Sequence, residues 1–307
     1  MPAVVGLTTN FSNVAIEKAE NLQIATGTAY KSTEKEYKGI ILVKSTDMLD
    51  TKRMRFEGPS ALTEQTEDTA ADRTFFSEGY IESTSVKLYS YDMPISWHLR
   101  KFQTKSAVMI VQMGEFLGRS ANLRFEYTGM SPLNNGFSST APYAGGDTAA
   151  YFSASHAFKS TGEAYINLLT AADCNKTSLE SALKTGAALK QENDIPVIWK
   201  AEKIVFGADN ILKVPELLKS TLDPESGNNT YNAIREFGIK KQFTHFASDA
   251  DQWTMDSTMP SRALLVADGT KTYKYVDEAK KSIIVGVSNS VGSGHYDQMN
   301  SLGNQGT

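Results

Sequence analysis

Tyr151-Phe-Ser-Ala-Ser-His-Ala-Phe158, followed by Tyr165-Ile-Asn167, is the stretch on which the fold turns. Downstream come Ile211-Leu-Lys-Val-Pro-Glu-Leu-Leu218, Asn232-Ala-Ile-Arg-Glu-Phe-Gly238 and Asp249-Ala-Asp-Gln-Trp-Thr-Met255. Ser153, Ser155, His156 and nearby Asp147 are residue types of a hydrolytic triad. No Gly-x-Ser-x-Gly turn accompanies them, and triads are defined by geometry rather than proximity in sequence. His156 therefore reads as a turn cap or a hydrogen-bonded residue of the fold. Asp249 and Asp251 could help hold a hard cation, but too few further oxygen ligands cluster near them. They read as a helix N-cap before an aromatic core anchor, Trp253. His98, His245 and His295 lack metal-ligand spacing. Neither a phosphate-binding nor a dinucleotide-binding glycine motif is present. No catalytic, cofactor-binding or metal-binding residue is assigned, and no cofactor is expected.

Upstream, the pattern is modular. Residues 1–35 are polar and small, with a short helix predicted from Val14 to Ala19 after Ser12. Residues 37–46 read as a β-branched strand. Residues 50–80 are polar and of mixed sign, and a structureless loop of that length inside a compact domain is improbable. They read as a projecting two-stranded hairpin, marginal in water unless a partner covers it. Arg53, Arg55, Glu57, Glu64, Glu67, Asp68, Arg73, Phe75 and Phe76 are its candidate intersubunit contacts. Residues 84–91 alternate as a strand that Met93-Pro94 ends. From about Ser96 a helical stripe runs through Leu99, Phe102, Met109, Ile110, Met113, Phe116, Leu117 and Ala121 towards Phe125. Gly114 and Gly118 share a face of this helix and suit close backbone approach.

Residues 129–150 read as loop. Thr177-Ser-Leu-Glu180 has a capping-box pattern, with Leu179, Ala182, Leu183 and Leu189 buried behind it. Strands are predicted within Asp194–Gly207 and at 263–267, 273–276 and 283–287, and Pro215 opens a short helix. The tail from Ser290 is glycine-rich and polar.

Composition narrows the function. The chain has 307 residues, of which 40% are apolar and 21% charged, ordinary for a globular protein able to bury a core. A net charge of −4 with interspersed signs argues against a protein that condenses nucleic acid. Cys174 is the single cysteine, so no intrachain disulfide forms, which fits a reducing cytoplasm. Met1-Pro-Ala-Val-Val-Gly6 lacks the features of a signal peptide, and no run suits a membrane span. The Asn10 and Asn228 sequons are then expected to be coincidental.

Taken in order, the patches resemble the major capsid proteins of tailed bacteriophages, with the Hong Kong 97-type fold and closest in pattern to the Mu-like branch. Tyr151 to His156 is similar to that branch's Phe-Ser-x-x-His patch, and Asn167 to the asparagine that tends to follow it. Val214-Pro-Glu-Leu217 resembles a Val-Pro-x-x-Leu patch, and Asp251 to Trp253 an Asp-x-Trp motif. The resemblance implies an α+β fold with an N-terminal arm at 1–35 and a peripheral-domain strand at 36–49. An extended hairpin loop at 50–80 and a peripheral domain with a spine helix at 81–168 follow. An axial domain at 169–282, then closing peripheral strands and tail at 283–307, complete the chain.

It also implies a subunit that self-assembles into pentamers and hexamers, forming an icosahedral shell around double-stranded DNA. Implied partners are a scaffold, a portal, decoration proteins and weak, non-specific contact with packaged DNA, without a membrane. The expected location is the virion capsid, assembled in the bacterial host cytoplasm. The chain departs from relatives that carry a long charged N-terminal scaffolding segment, which implies a separate scaffold or a processed form. Alternatives are an encapsulin-like compartment shell, a soluble hydrolase built on Ser153 and His156, or a phage tail module.

Overall fold

The computed structural model describes residues 11–47, 50–57, 77–96, 106–139, 146–159, 162–191, 195–225, 230–257, 262–277, 282–295 and 301–304. Helix α1 covers Phe11–Ser32, much longer than the short segment predicted. Small residues explain the difference. They carry little apolar signal, but they let α1 lie very close to a long helix of the same chain. After a turn come α2 (Tyr37–Ile40) and β1 (Leu42–Ser45). The expected single strand over 37–46 is thus a helical turn followed by a strand. Next are β2 (Asp50–Glu57), β3 (Ser77–Ser85) and β4 (Lys87–Ser96). Pro94 does not end β4, because β4 is an edge strand where the missing N–H is tolerated.

The long helix α3 spans Ser106–Asn134, so Gly129 and Pro132 are helical rather than loop. Its buried face carries Leu117, Ala121, Phe125, Met130 and Leu133. Phe116, predicted on this stripe, is 63% exposed, as is about half of Met109. Leu99 and Phe102 lie outside the described residues. The close approach expected at the glycines is where α1 crosses. A Cβ on Gly114 would stand 2.8 Å from Leu22 O, and one on Gly118 2.4 Å from Thr26 O.

Beneath α3 lies a sheet in the order β1-β10-β11-β4, where β10 is Arg262–Asp277 and β11 is Ser282–His295. β1 runs parallel to β10, while β10–β11 and β11–β4 are antiparallel. The strands predicted at 263–267 and 273–276 are one strand, irregular between Val266 and Thr270, with Gly269 at φ +67°. Glycine takes this left-handed conformation without penalty, so the chain bulges and continues. Asn289 donates to Ala121 O at 2.7 Å and ties the sheet to α3.

The 146–169 segment carries the short pair β5 (His156–Ala157) and β6 (Ala164–Tyr165). Helix α4 (Lys176–Ala187) follows. Its cap is Asn175 with Ser178, two residues earlier than the predicted Thr177–Glu180 box, because the Asn175 side chain already accepts from Ser178 N. A second sheet follows the order β12-β9-β7-β8. Its strands are β7 (Ala201–Phe206), β8 (Lys240–Phe243), β9 (Trp253–Ser257) and β12 (Ser301–Asn304). α5 (Lys213–Lys219) begins two residues before Pro215. Trp253 stands in a wholly buried strand, so Asp249 and Asp251 form a turn rather than cap a helix. Asp251 N donates to Asp249 Oδ1 there. A core of Leu179, Ala182, Ile204, Phe206, Val214, Leu217 and Trp253 sits behind this sheet.

The sheets do not follow the sequence segments 169–282 and 283–307. β10 joins the first sheet, between its chain neighbour β11 and the distant β1, and β12 joins the second by pairing with β9. β2 and β3 pair antiparallel as a separate two-stranded ribbon.

Candidate functional site

The stretch Tyr151–Asn167 folds into a buried polar junction. The chain after α3 turns at Gly136, whose carbonyl accepts from Phe152 N at 2.8 Å. The Phe152 ring lies against Gly136 on one side and Gly303 of β12 on the other. A Cβ on Gly303 would stand 2.4 Å from the ring. Asn167 is fully buried. Its Oδ1 accepts from Ser153 N at 2.8 Å, and its Nδ2 donates to Tyr151 O at 2.8 Å. Its backbone carbonyl accepts from Gly303 N at 3.0 Å, so β12 closes over the junction.

His156, 1% exposed, stacks on Tyr165 with ring centroids 4.9 Å apart. Its Nδ1 meets Asp147 Oδ2 at 2.7 Å and its Nε2 meets Asn167 Oδ1 at 3.1 Å. The two backbone bonds fix which way the Asn167 amide points. Both ring nitrogens therefore face side-chain oxygens. Burial alone would push the Asp147 carboxyl up. The hydrogen bond and charge of His156, with the Ala149 N–H, outweigh burial and hold it below the usual value.

His156 is thus a hydrogen-bonded residue of the fold, and the serine–histidine pairing of the hydrolase alternative does not form. Nε2 faces Asn167 instead of a serine, and Ser153 Oγ donates to Ser155 O in a local turn. The constellation fastens the segment 147–167 onto itself and onto β12. Asp147→Asn should lower stability at neutral pH by about 2 kcal/mol, since a charged partner of a buried hydrogen bond is lost. A depressed carboxyl contributes stability above its unfolded value, near 4, and loses it as pH falls through the folded value. Urea unfolding should therefore show the gap between wild type and variant closing below pH 4, and a gap independent of pH would refute the pairing.

The other sequence candidates separate. His98, Glu64, Glu67, Asp68, Arg73, Phe75 and Phe76 lie outside the described residues. Arg53, Arg55 and Glu57 stand on β2. His245 bonds Glu36, and His295 ends β11. Cys174 is buried, and burial pushes its thiol up to about 12, far from a reactive thiolate. Among the described residues no His, Cys, Asp and Glu cluster could hold a metal ion, and no helix is long and apolar enough to cross a membrane.

A second polar joint surrounds α2. Glu126 of α3 accepts from Glu36 N and Tyr37 N, each at 2.9 Å. Lys203 of β7 donates to Gly39 O and Ile40 O, each at 3.1 Å. The spine helix and the second sheet thus hold opposite ends of one helical turn. The available sequence signal was a charged residue four positions after Asn122, on the face that also buries Phe125.

A long helix laid across a four-stranded sheet, a second sheet keyed to it, and a separate two-stranded ribbon make the major capsid fold of the Hong Kong 97 type. No protein-family model and no curated protein sequence matches the chain. Solved structures match it over most of its length. The capsid of the Myoviridae phage XM1 superposes with TM-score 0.55 at 12% identity, over 87% of this chain and 90% of that one. The mature capsid of bacteriophage PhiM1 gives TM-score 0.54 at 14% identity, over 90% and 88%. The virus-like particle from Pyrococcus furiosus gives 0.50 at 11% identity, over 93% and 98%.

Proposed function

We propose that the chain is a major capsid subunit of a tailed phage or prophage. It assembles into pentamers and hexamers that build an icosahedral shell around double-stranded DNA. The observation that carries this reading is the capsid fold matched over nearly the whole chain. The role is structural rather than enzymatic. The second-sheet body, an axial domain in this reading, meets its copies through heterologous contacts that close into rings. Ile198 is fully exposed and Leu212 is 80% exposed, which suits surfaces that neighbours cover. The ribbon and its tip, residues 50–80, lie over an adjacent subunit. There Arg53, Arg55, Glu57, Glu64, Glu67, Asp68, Arg73, Phe75 and Phe76 set register more than affinity. Scaffold, portal and decoration proteins are its further partners, and its place is the virion shell.

Negative-stain imaging of the purified protein tests this. Closed particles with five- and six-fold capsomers are expected, and a uniform monomer would overturn the proposal. Deleting residues 53–78 should leave a soluble subunit that forms no closed shells, because a two-stranded ribbon adds little to its own chain. Normal shells from that deletion would remove the ribbon from assembly. An encapsulin-like compartment shell, which would share the fold, is the second reading. Protein cargo instead of DNA inside purified particles would select it.

A further inference from the structure

The last turn of α3 is fastened to the second sheet by polar bonds that neither the fold reading nor the shell proposal uses. Gln252, just before β9, donates its Nε2 to Leu133 O at 2.9 Å. That carbonyl lies at a helix end, where partners must come from outside the helix. Asn134 donates to Phe246 O at 2.8 Å and accepts from Ser248 N at 3.0 Å. Thr244 N donates to Phe206 O of β7, and the Thr244 hydroxyl oxygen accepts from Phe246 N, each at 3.1 Å.

One polar group in this joint is left over. β9 sends Trp253 and Met255 into the core behind the sheet, and side chains alternate along a strand, so Thr254 faces α3. Thr254 is 1% exposed, and among the described residues nothing pairs with its hydroxyl oxygen. A buried hydroxyl without a partner is destabilising. This one borders a cavity of about 10 Å³ between α3 and the sheet. One water needs roughly 10–15 Å³, so the cavity admits a single water and nothing larger. Its apolar walls include Met130 and Leu133 of α3 and Val205 of β7, and its polar wall is Thr244, Gln252 and Thr254. All six are buried, and the half-buried Ala247 marks the way in.

We propose that this cavity is a binding site for one water molecule, held by Thr244, Gln252 and Thr254. The donors and acceptors match. Thr244 Oγ1 already accepts from Phe246 N, so its O–H donates to the water. Gln252 Nε2 is spent on Leu133 O, which leaves Oε1 as an acceptor. The water gives one proton to Gln252 Oε1 and the other to Thr254 Oγ1. Three partners is the usual number for a buried water. An apolar guest would leave the Thr254 hydroxyl orphaned, and an ion would lack a counter-charge, because every lining residue is neutral. The water thereby links the centre of β9 to the same turn that Gln252 ties to α3. The site belongs to a single chain and stands whether or not the chain builds a shell.

A structure of the intact protein, as subunit or particle, fine enough to show ordered water tests the site. A water about 3 Å from Thr254 Oγ1, and equally close to Thr244 Oγ1 or Gln252 Oε1, is expected. A cavity that holds none, or a Thr254 hydroxyl bonded directly to a protein group, overturns the proposal. Thr254→Val keeps the shape of the side chain and removes the hydroxyl. Removing an unbonded hydroxyl raises the urea midpoint, whereas removing one that holds a water lowers it. The expected loss is roughly fivefold in the folding equilibrium constant, and a midpoint that stays or rises overturns the site. Thr254→Ser is the companion variant. It retains the hydroxyl, so the water should stay in place, and its disappearance there would overturn the role of Thr254 even if Thr254→Val does not fold.

Discussion

Asn167→Leu should destabilise the folded chain by about 4 kcal/mol, the largest loss expected from a single polar side chain here. Three groups lose their partner at once: the Ser153 N–H, the Tyr151 carbonyl and the Nε2 side of His156. Each buried orphan costs about 1–3 kcal/mol, and no water replaces Asn167 where Phe152 and Gly303 are packed in contact. The extra apolar contact of leucine offsets only part of this. Domains of this kind are stable by about 5–15 kcal/mol, so the variant should approach the margin of folding. Asn135→Ala is the comparison. Asn135 is exposed and its amide bonds Ser131 O within one helical turn, so its loss should stay within about 0.5 kcal/mol. Urea midpoints at neutral pH measure both, and similar shifts would show that the junction carries no special stability.

This junction also shows what the sequence could reveal. His156 and Asn167 stand eleven positions apart in the sequence, and here they are hydrogen-bonded partners. Order and spacing were legible because both lie within one short, locally folded segment. The helical period of α3 was legible for the same reason, as was the close approach permitted by Gly114 and Gly118. What remained hidden depends on distant partners. The β-branched run after Tyr37 favours strand locally, yet α2 is helical because Glu126 and Lys203, far along the chain, satisfy its two ends. Asp251 resembles a helix cap, but β12 and β7 on either side of β9 make the following residues a central strand. α1 was underestimated because its stability comes from close approach of small residues to α3 rather than from bulky side chains.

The α1–α3 crossing yields a pair of predictions of opposite sign from one chemical change. A methyl group on Gly118 would lie 2.4 Å from Thr26 O, 2.8 Å from Tyr30 N and 2.9 Å from Ala29 Cβ. Two of these are backbone atoms of α1, which cannot turn away as a flexible side chain would. α1 must shift bodily, loosening Leu22, which is fully buried, and the bond from Gln23 to Thr272 of β10. Alanine gains about 1 kcal/mol of helix propensity over glycine, whereas overpacking a tight contact costs about 1–3 kcal/mol and occasionally more. Because backbone meets backbone, the clash should dominate, and Gly118→Ala should lose about 2 kcal/mol net. Gly118→Leu should lose more and expose α1 to protease. Gly27, on α1 itself, has nothing within 4 Å of its Cβ position. Only the propensity gain remains there, so Gly27→Ala should stabilise by about 1 kcal/mol. Thermal midpoints of the two alanine variants decide the matter. Opposite shifts are expected, and a stabilised Gly118→Ala would mean that α1 and α3 are not locked at this crossing. In that case the pairing of α1 with the spine helix, and with it the fastening of the N-terminal segment to its own chain, would have to be given up.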